Sequence, residues 1–301
     1  MAILALYPHA QILQAALWDP NRYETAAFSL SSGRESTEQE LLSWLKSPQI
    51  ACQDLQLIAA STASAELAAS LGQVLDVKVC ISEPSNPDEC SPLAFVTGTP
   101  ALSRKCSTDA FIFKFMVRQE AQAKGLDPSG EQFIVAHLDQ VHQLGALQGT
   151  TVVDALTSFD EGPFALRQSG ALPFDSVLDL CMEAGGREEV LEVLHEQGGL
   201  FGYLGLDNLD DLWNLSGEVA DAIREALIYQ ISKEIGALAA VLCGRVSSIL
   251  LGGELVRHEP FVEALRQRIG FIAPVSVYPG NQGLPALLAD AHSILGQDST
   301  Q

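Results

Sequence analysis

A chain of 301 residues with 47% hydrophobic content has room for one large domain or two ordinary ones with packed cores, which excludes disorder and fibrous assembly. Seventeen Lys and Arg against 38 Asp and Glu leave a net charge of −21, and no basic cluster reverses that field locally, which argues against nucleic acid and anionic membrane as partners. The apolar runs fall short of the roughly 20 residues that span a bilayer, no basic segment precedes the first of them, and the six cysteines lack metal-site or disulfide-scaffold spacing. The expectation is a cytoplasmic protein with reduced thiols.

In chain order, Ala2–Leu6 reads as a buried first strand ending in the turn Tyr7-Pro8-His9, and Ile12–Trp18 pairs with it as a hairpin. Thr37 with Glu40 matches a capping box ahead of the helical spacing Leu41, Leu42, Leu45. Leu55–Ala60 is a strand, a helical pattern follows through Leu71, and Val77–Ile81 is a further strand, giving βα alternation. Ser82–Pro92 concentrates Pro, Ser, Asn and acids and reads as a loop. A helix near Phe111–Lys124 leads to turn chemistry at Gly125–Gly130, where the chain divides into domains 1–130 and 131–301. The second half repeats the grammar: strands at Phe133–Leu138 and Thr151–Val153, helices, a long helix from Gly217 to Leu242, a strand at Val246–Leu251, a helix with Pro260 in its first turn, a strand at Val275–Tyr278 and a last helix near 284–296.

Candidate chemistry is sparse. Leu251-Gly252-Gly253-Glu254 and Gln197-Gly198-Gly199-Leu200 either let backbone approach a ligand or form plain turns. The phosphate-loop, dinucleotide, esterase-elbow and zincin motifs are missing. His137 and His142, with Asp139 between them, and the pair Asp160-Glu161 are ion-binding or solvated turns, and no metal site is assigned. Asp207, Asp210 and Asp211 near Trp213 read as a solvated helix start.

Taken together, Phe133–Leu138, Asp160–Phe164, Gln168–Pro173, Gly198–Gly205, Ile228–Ala237, Ile249–Gly253 and Gly270–Gly280 resemble the butyrate kinase family of the acetate-kinase, sugar-kinase, Hsp70 and actin superfamily, and they run in that family's order. The resemblance implies an α/β fold of two actin-like (ribonuclease H-like) domains, each a mixed five-stranded sheet flanked by helices, with the last helix packing back on the first domain. It implies phosphoryl transfer from ATP with Mg²⁺ to a short-chain carboxylate, and a homodimer. It assigns nucleotide contacts to Gly198, Gly199, Gly252, Gly253 and Glu254.

The departures fall at the phosphate end. The first phosphate turn reads Tyr7-Pro8-His9-Ala10-Gln11-Ile12-Leu13-Gln14, without glycine, hydroxyls or lysine, and the second reads Asp139-Gln140-Val141-His142 where glycines are expected. Gln168 stands where the resemblance places an arginine, Gly98 where it places an aspartate, and Asn281-Gln282-Gly283 where it places acids, and the stretch between His9 and His137 holds no histidine. Arg167 and His137 are the remaining catalytic candidates, with Arg104 and Lys105 available to any different reaction. Phosphoryl transfer depends on such positioned donors. The reading is therefore a degenerate kinase with weak or absent ATP and Mg²⁺ binding, acting as a subunit, regulator or nucleotide-sensing scaffold for an unidentified protein partner. The alternative is an active short-chain carboxylate kinase. The long apolar pattern from Ile228 to Leu242 is the surface offered to a second subunit.

Overall fold

The computed structural model describes residues 2–9, 12–30, 33–48, 50, 54–82 and 88–298. Its contacts sort into two compact units, Met1–Pro84 with Gln282–Gln301, and Ser85–Asn281. Among the described residues the strands form two mixed five-stranded sheets, one in each unit, so the α/β expectation with a sheet in each half holds.

In the first unit, β1 (Ala2–His9), β2 (Ile12–Asp19) and β3 (Arg22–Ser29) form an antiparallel meander. β4 (Leu55–Ser61) and β5 (Lys78–Ser82) extend it in parallel, giving the order β3-β2-β1-β4-β5. The near-continuous burial of β1 follows from its place inside the sheet, where both faces are covered. Leu4, Leu6, Leu13, Leu17 and Ile58 pack with Leu41 of α1 (Arg34–Lys46) and Leu71 of α2 (Ala65–Leu75). The C-terminal helix Gly283–Asp298 packs on β1 and β4.

Two local expectations are corrected. Thr37 is no helix cap: α1 starts at Arg34, and the Thr37 hydroxyl, one turn inside, donates back to the carbonyls of Gly33 and Ser29 at 3.1 and 3.0 Å. β3 was hidden because RYETAAFS lacks a clean apolar alternation, and the strand lies at the sheet edge with much of its surface exposed. Of the loop reading Ser82–Pro92, residues 83–87 lie outside the described residues, while Ser82 ends β5 and Pro92 opens a 3₁₀ turn through Phe95; Ala10 and Gln11 of the first hairpin turn lie outside the described residues too.

In the second unit, α3 (Ala110–Lys124) precedes β6 (Gln132–Leu138), β7 (His142–Gln148) and β8 (Thr151–Thr157). Then come α4 (Phe174–Glu183), α5 (Arg187–His195), α6 (Gly199–Leu204) and α7 (Glu218–Val241). β9 (Ser248–Gly253), α8 (Glu259–Ile269) and β10 (Val275–Pro279) complete the sheet β10-β9-β6-β7-β8. The cut near residue 130 drawn from turn chemistry differs from the contact division, because α3 lies on the sheet that follows it. A Cβ on Gly145 would stand 2.6 Å from Phe113, and one on Gly252 2.8 Å from the Met116 methyl.

The apolar face of α7 does not await a second subunit. Ile228, Ile231, Ile235 and Leu238 are buried against Ile134, Leu144, Leu251 and Phe261 in the unit's own core.

Candidate functional site

The β6–β7 turn is where the sequence resemblance places the second phosphate loop. Strand pairing closes it at Leu138 opposite His142, leaving Asp139-Gln140-Val141 as the connection. Asp139 is 4% exposed, and both of its carboxylate oxygens accept hydrogen bonds: Oδ1 from the Gln140 amide at 2.8 Å, Oδ2 from the Asn281 side-chain amide at 3.1 Å. Asn281 in turn donates its backbone amide to Glu254 Oε1 at 3.1 Å, and Glu254 is ion-paired with Arg257. The turn after β9 is tied to the turn after β10 by reciprocal backbone bonds between Gly253 and Gly280, at 3.1 and 2.9 Å. A buried carboxyl group is tolerated only where hydrogen-bond partners surround it, and this network supplies them.

His137 and His142 do not converge on an ion. Leu138 faces His142 across the ladder and successive side chains alternate, so His137 and His142 leave the sheet on opposite faces. His142 is fully buried, with its two ring nitrogens lacking hydrogen bonds, and burial pushes its pKa down to about 4 against the opposing pull of Asp139. Among the described residues no group of three or more His, Cys, Asp or Glu is placed to hold a metal.

The paired glycines are required by the chain's own packing. A Cβ on Gly253, whose φ is +100°, would lie 2.3 Å from the Leu138 carbonyl oxygen. On Gly199, at φ +58°, it would lie 2.1 Å from the Ala165 oxygen, and on Gly198 2.2 Å from the Ser169 hydroxyl. The first amides of α6 are already engaged, Leu200 donating to Ala165 at 2.9 Å and Phe201 to Leu166 at 2.8 Å.

Arg167 and Gln168 diverge. The Arg167 guanidinium sits 4.1 Å over the Phe201 ring, donates to the Glu196 carbonyl at 3.1 Å and pairs with Asp207. Gln168 is buried and donates to the His195 carbonyl at 3.2 Å. Arg104 binds Asp154 at 3.0 Å, the Ala94 carbonyl at 2.9 Å and Glu161, while Lys105 reaches Asp160 at 3.0 Å. Each acid of the pair Asp160-Glu161 thus meets a cation of its own chain, Glu161 sharing Arg104 with Asp154. Asp210 meets His258 at 3.1 Å and Asp211 bonds Asn208, so these acids border a short 3₁₀ turn at Asp210–Trp213. The Asp139–Asn281 contact had no local signal, since its partners are 142 residues apart.

Comparison with known proteins adds a lineage. No family model matches the chain. It is 32% identical over 235 residues to the probable butyrate kinase 2 of Caldanaerobacter subterraneus subsp. tengcongensis, covering 76% of this chain and 66% of that protein. It is 32% identical over 241 residues to the probable butyrate kinase of Listeria innocua, covering 78% and 68%. Butyrate kinase 2 of Clostridium acetobutylicum matches at 31% over 248 residues, covering 80% and 70%. The chain spans about two thirds of the length of these relatives. Among solved structures, the acetate kinase of Porphyromonas gingivalis superposes with a TM-score of 0.74 at 13% identity, covering 98% of this chain and 99% of that one. The acetate kinase of Entamoeba histolytica does so at 0.73 and 11%, covering 97% and 99%. With an acetate-kinase-like two-sheet fold and identity above 30% across more than two thirds of a curated relative, this chain belongs to the butyrate kinase family.

Proposed function

We propose that this butyrate kinase-like protein is a degenerate kinase: it keeps the fold, has lost productive phosphoryl transfer, and acts in the cytoplasm as a subunit, regulator or nucleotide-sensing scaffold. The observation that carries this reading is the buried Asp139 carboxylate, hydrogen-bonded to Asn281, at the turn the resemblance assigns to the second phosphate loop. A carboxylate there repels phosphate, the Gln140 amide is already engaged by Asp139, and side chains with Cβ atoms restrict the close backbone approach that glycines allow.

The residues present do not fit ATP with Mg²⁺. Asp160 is paired with Lys105, and Glu161 shares Arg104 with Asp154. Arg167, next to the position where the resemblance expects an arginine, is committed to Phe201, Glu196 and Asp207. Nucleotide binding through Gly198, Gly199, Gly252, Gly253 and Glu254 is then at most weak. Homodimerisation belongs to this reading on family grounds alone and is checked by light scattering.

The direct test is hydroxamate trapping of acyl phosphate with excess ATP, Mg²⁺ and butyrate or acetate. No turnover above background is expected. A rate of about 1 s⁻¹ or more, within the ordinary enzyme range, that disappears on Arg167→Ala would reinstate the active carboxylate kinase.

A further inference from the structure

In the second unit, α4 half-buries Val177 and Leu180 and leaves a second apolar stripe exposed. In α4 (FDSVLDLCME) no residue is buried. Phe174 is 88% exposed, Met182 86% and Leu178 61%, with Cys181 exposed beside them. At 100° per residue these four side chains fall within one arc of the helix, and Asp175, Asp179 and Glu183 follow along one edge of it. Beside the helix lies a cavity of about 380 Å³, lined by Phe159, Leu172, Val177, Leu178 and Leu194. A contiguous exposed apolar surface of this kind, rimmed by charge, marks an interaction site.

The charge decides the occupant. Residues 174–196 contain seven acids and a single arginine, and the whole chain carries −21. A second copy seated two-fold on α4 would bring acidic rim against acidic rim, and anionic lipid or nucleic acid meets the same repulsion. A helix or extended segment presenting apolar residues between lysines or arginines is complementary in both respects.

We propose that α4 and the adjoining cavity dock a cationic amphipathic segment of a protein partner, its apolar side chains entering the cavity beside Phe174 and Leu178 and its cations facing Asp175, Asp179 and Glu183. The proposal stands apart from the kinase reading, so the outcome of the phosphotransfer assay leaves it untouched.

The test is fluorescence anisotropy of a labelled helical peptide of Leu and Lys with apolar residues every three to four positions, against a scrambled Leu/Lys peptide of equal charge and a Leu/Glu version of the same pattern. The patterned cationic peptide is expected to bind about tenfold or more tighter than either control, equivalent to about 1.4 kcal/mol. The double variant F174S/M182S alters only surface positions, which an unchanged thermal melt confirms, and is expected to lose that tenfold. The triple variant D175N/D179N/E183Q is expected to flatten the salt dependence. Equal binding of the scrambled peptide, or full binding by F174S/M182S, would overturn the proposal. So would a dimer in light scattering that F174S/M182S dissolves, since a second copy would then own the face.

Discussion

Tyr278 of β10 donates its hydroxyl to the Glu120 carboxylate of α3 at 2.6 Å. Glu120 is 2% exposed, and it also accepts from Ser276 at 2.9 Å and pairs with Lys124 at 2.6 Å, while Lys124 donates to Ser248 of β9 at 2.7 Å. One buried carboxylate thus fastens a helix to the β9–β10 edge of its sheet. Removing Glu120 takes a shared acceptor from Tyr278, Ser276 and Lys124, whereas removing Tyr278 takes one of three donors from a buried carboxylate, so the first change costs more than the second. Glu120→Ala is expected to destabilise the protein by about 3 kcal/mol, and Tyr278→Phe by about 1 kcal/mol, measured by urea unfolding.

The same pair sets a pH window. Burial opposes ionisation of Glu120, but Lys124, Tyr278 and Ser276 outweigh it and hold its pKa below the usual 4.5. That stability is complete above the unfolded value and is lost as pH falls through the folded one. Burial and the Glu120 charge push Tyr278 well above 10.0, so the unfolded chain ionises first and stability declines as pH rises past about 10. Tyr278→Phe is expected to remove much of the alkaline decline in a melting-temperature profile while leaving the acid limb. An unchanged alkaline limb would refute the assignment.

His142 contributes a second acid-sensitive term. Its folded pKa of about 4 lies below 6.5, so its neutral form is favoured in the folded state. The contribution is complete above pH 6.5 and is lost between about 6.5 and 4, to a total of about 3 kcal/mol. His142→Leu removes two buried nitrogens that lack hydrogen bonds. It is expected to be neutral or stabilising by about 1 kcal/mol at pH 7 and to flatten the stability profile between pH 6.5 and 4. A loss of more than about 2 kcal/mol at pH 7 would show that the imidazole makes a bond the geometry misses.

The two kinds of left-handed glycine separate cleanly. Gly253 and Gly205 both have positive φ, at +100° and +67°, but only Gly253 lacks room for a Cβ. Gly205→Ala is expected to cost about 1 kcal/mol from backbone strain alone, and Gly253→Ala about 3 kcal/mol or more because overpacking against Leu138 adds to it. Equal costs in chemical denaturation would contradict the close approach of β6 and β9.

At the degenerate turn, Asp139→Asn removes the charge and keeps one acceptor oxygen, for either the Gln140 amide or the Asn281 side chain. Calorimetry is expected to show ATP affinity rising about tenfold, or 1.4 kcal/mol, if repulsion by this carboxylate is what weakens binding. An affinity already micromolar and Mg²⁺-dependent in the unmodified protein would reverse the order of the argument.

Much of the architecture was legible because it is local. The apolar runs of β1, β4, β6 and β9 announce strands covered on both faces, and the 3.6-residue period of α7 and the Pro260 start of α8 announce helices. The family resemblance likewise lives in contiguous stretches. β7 was missed because HQLGALQ contains glycine, two glutamines and histidine and no β-branched residue, and its burial comes from neighbours on both sides. Whether a glycine pair approaches a ligand or its own chain depends on where Leu138 and Ala165 lie, and only the packed structure decides that. The same holds for the apolar residues of two helices, which look alike in sequence. Those of α7 are consumed by the core, while Phe174, Leu178 and Met182 of α4 face outward, because burial depends on what a helix packs against and not on its own pattern. The sequence determined which residues occupy the degenerate turn, but that Asp139 is buried there and held by a residue 142 positions away was decided by the meeting of the β6 and β10 ends, a long-range contact that leaves no periodicity to read.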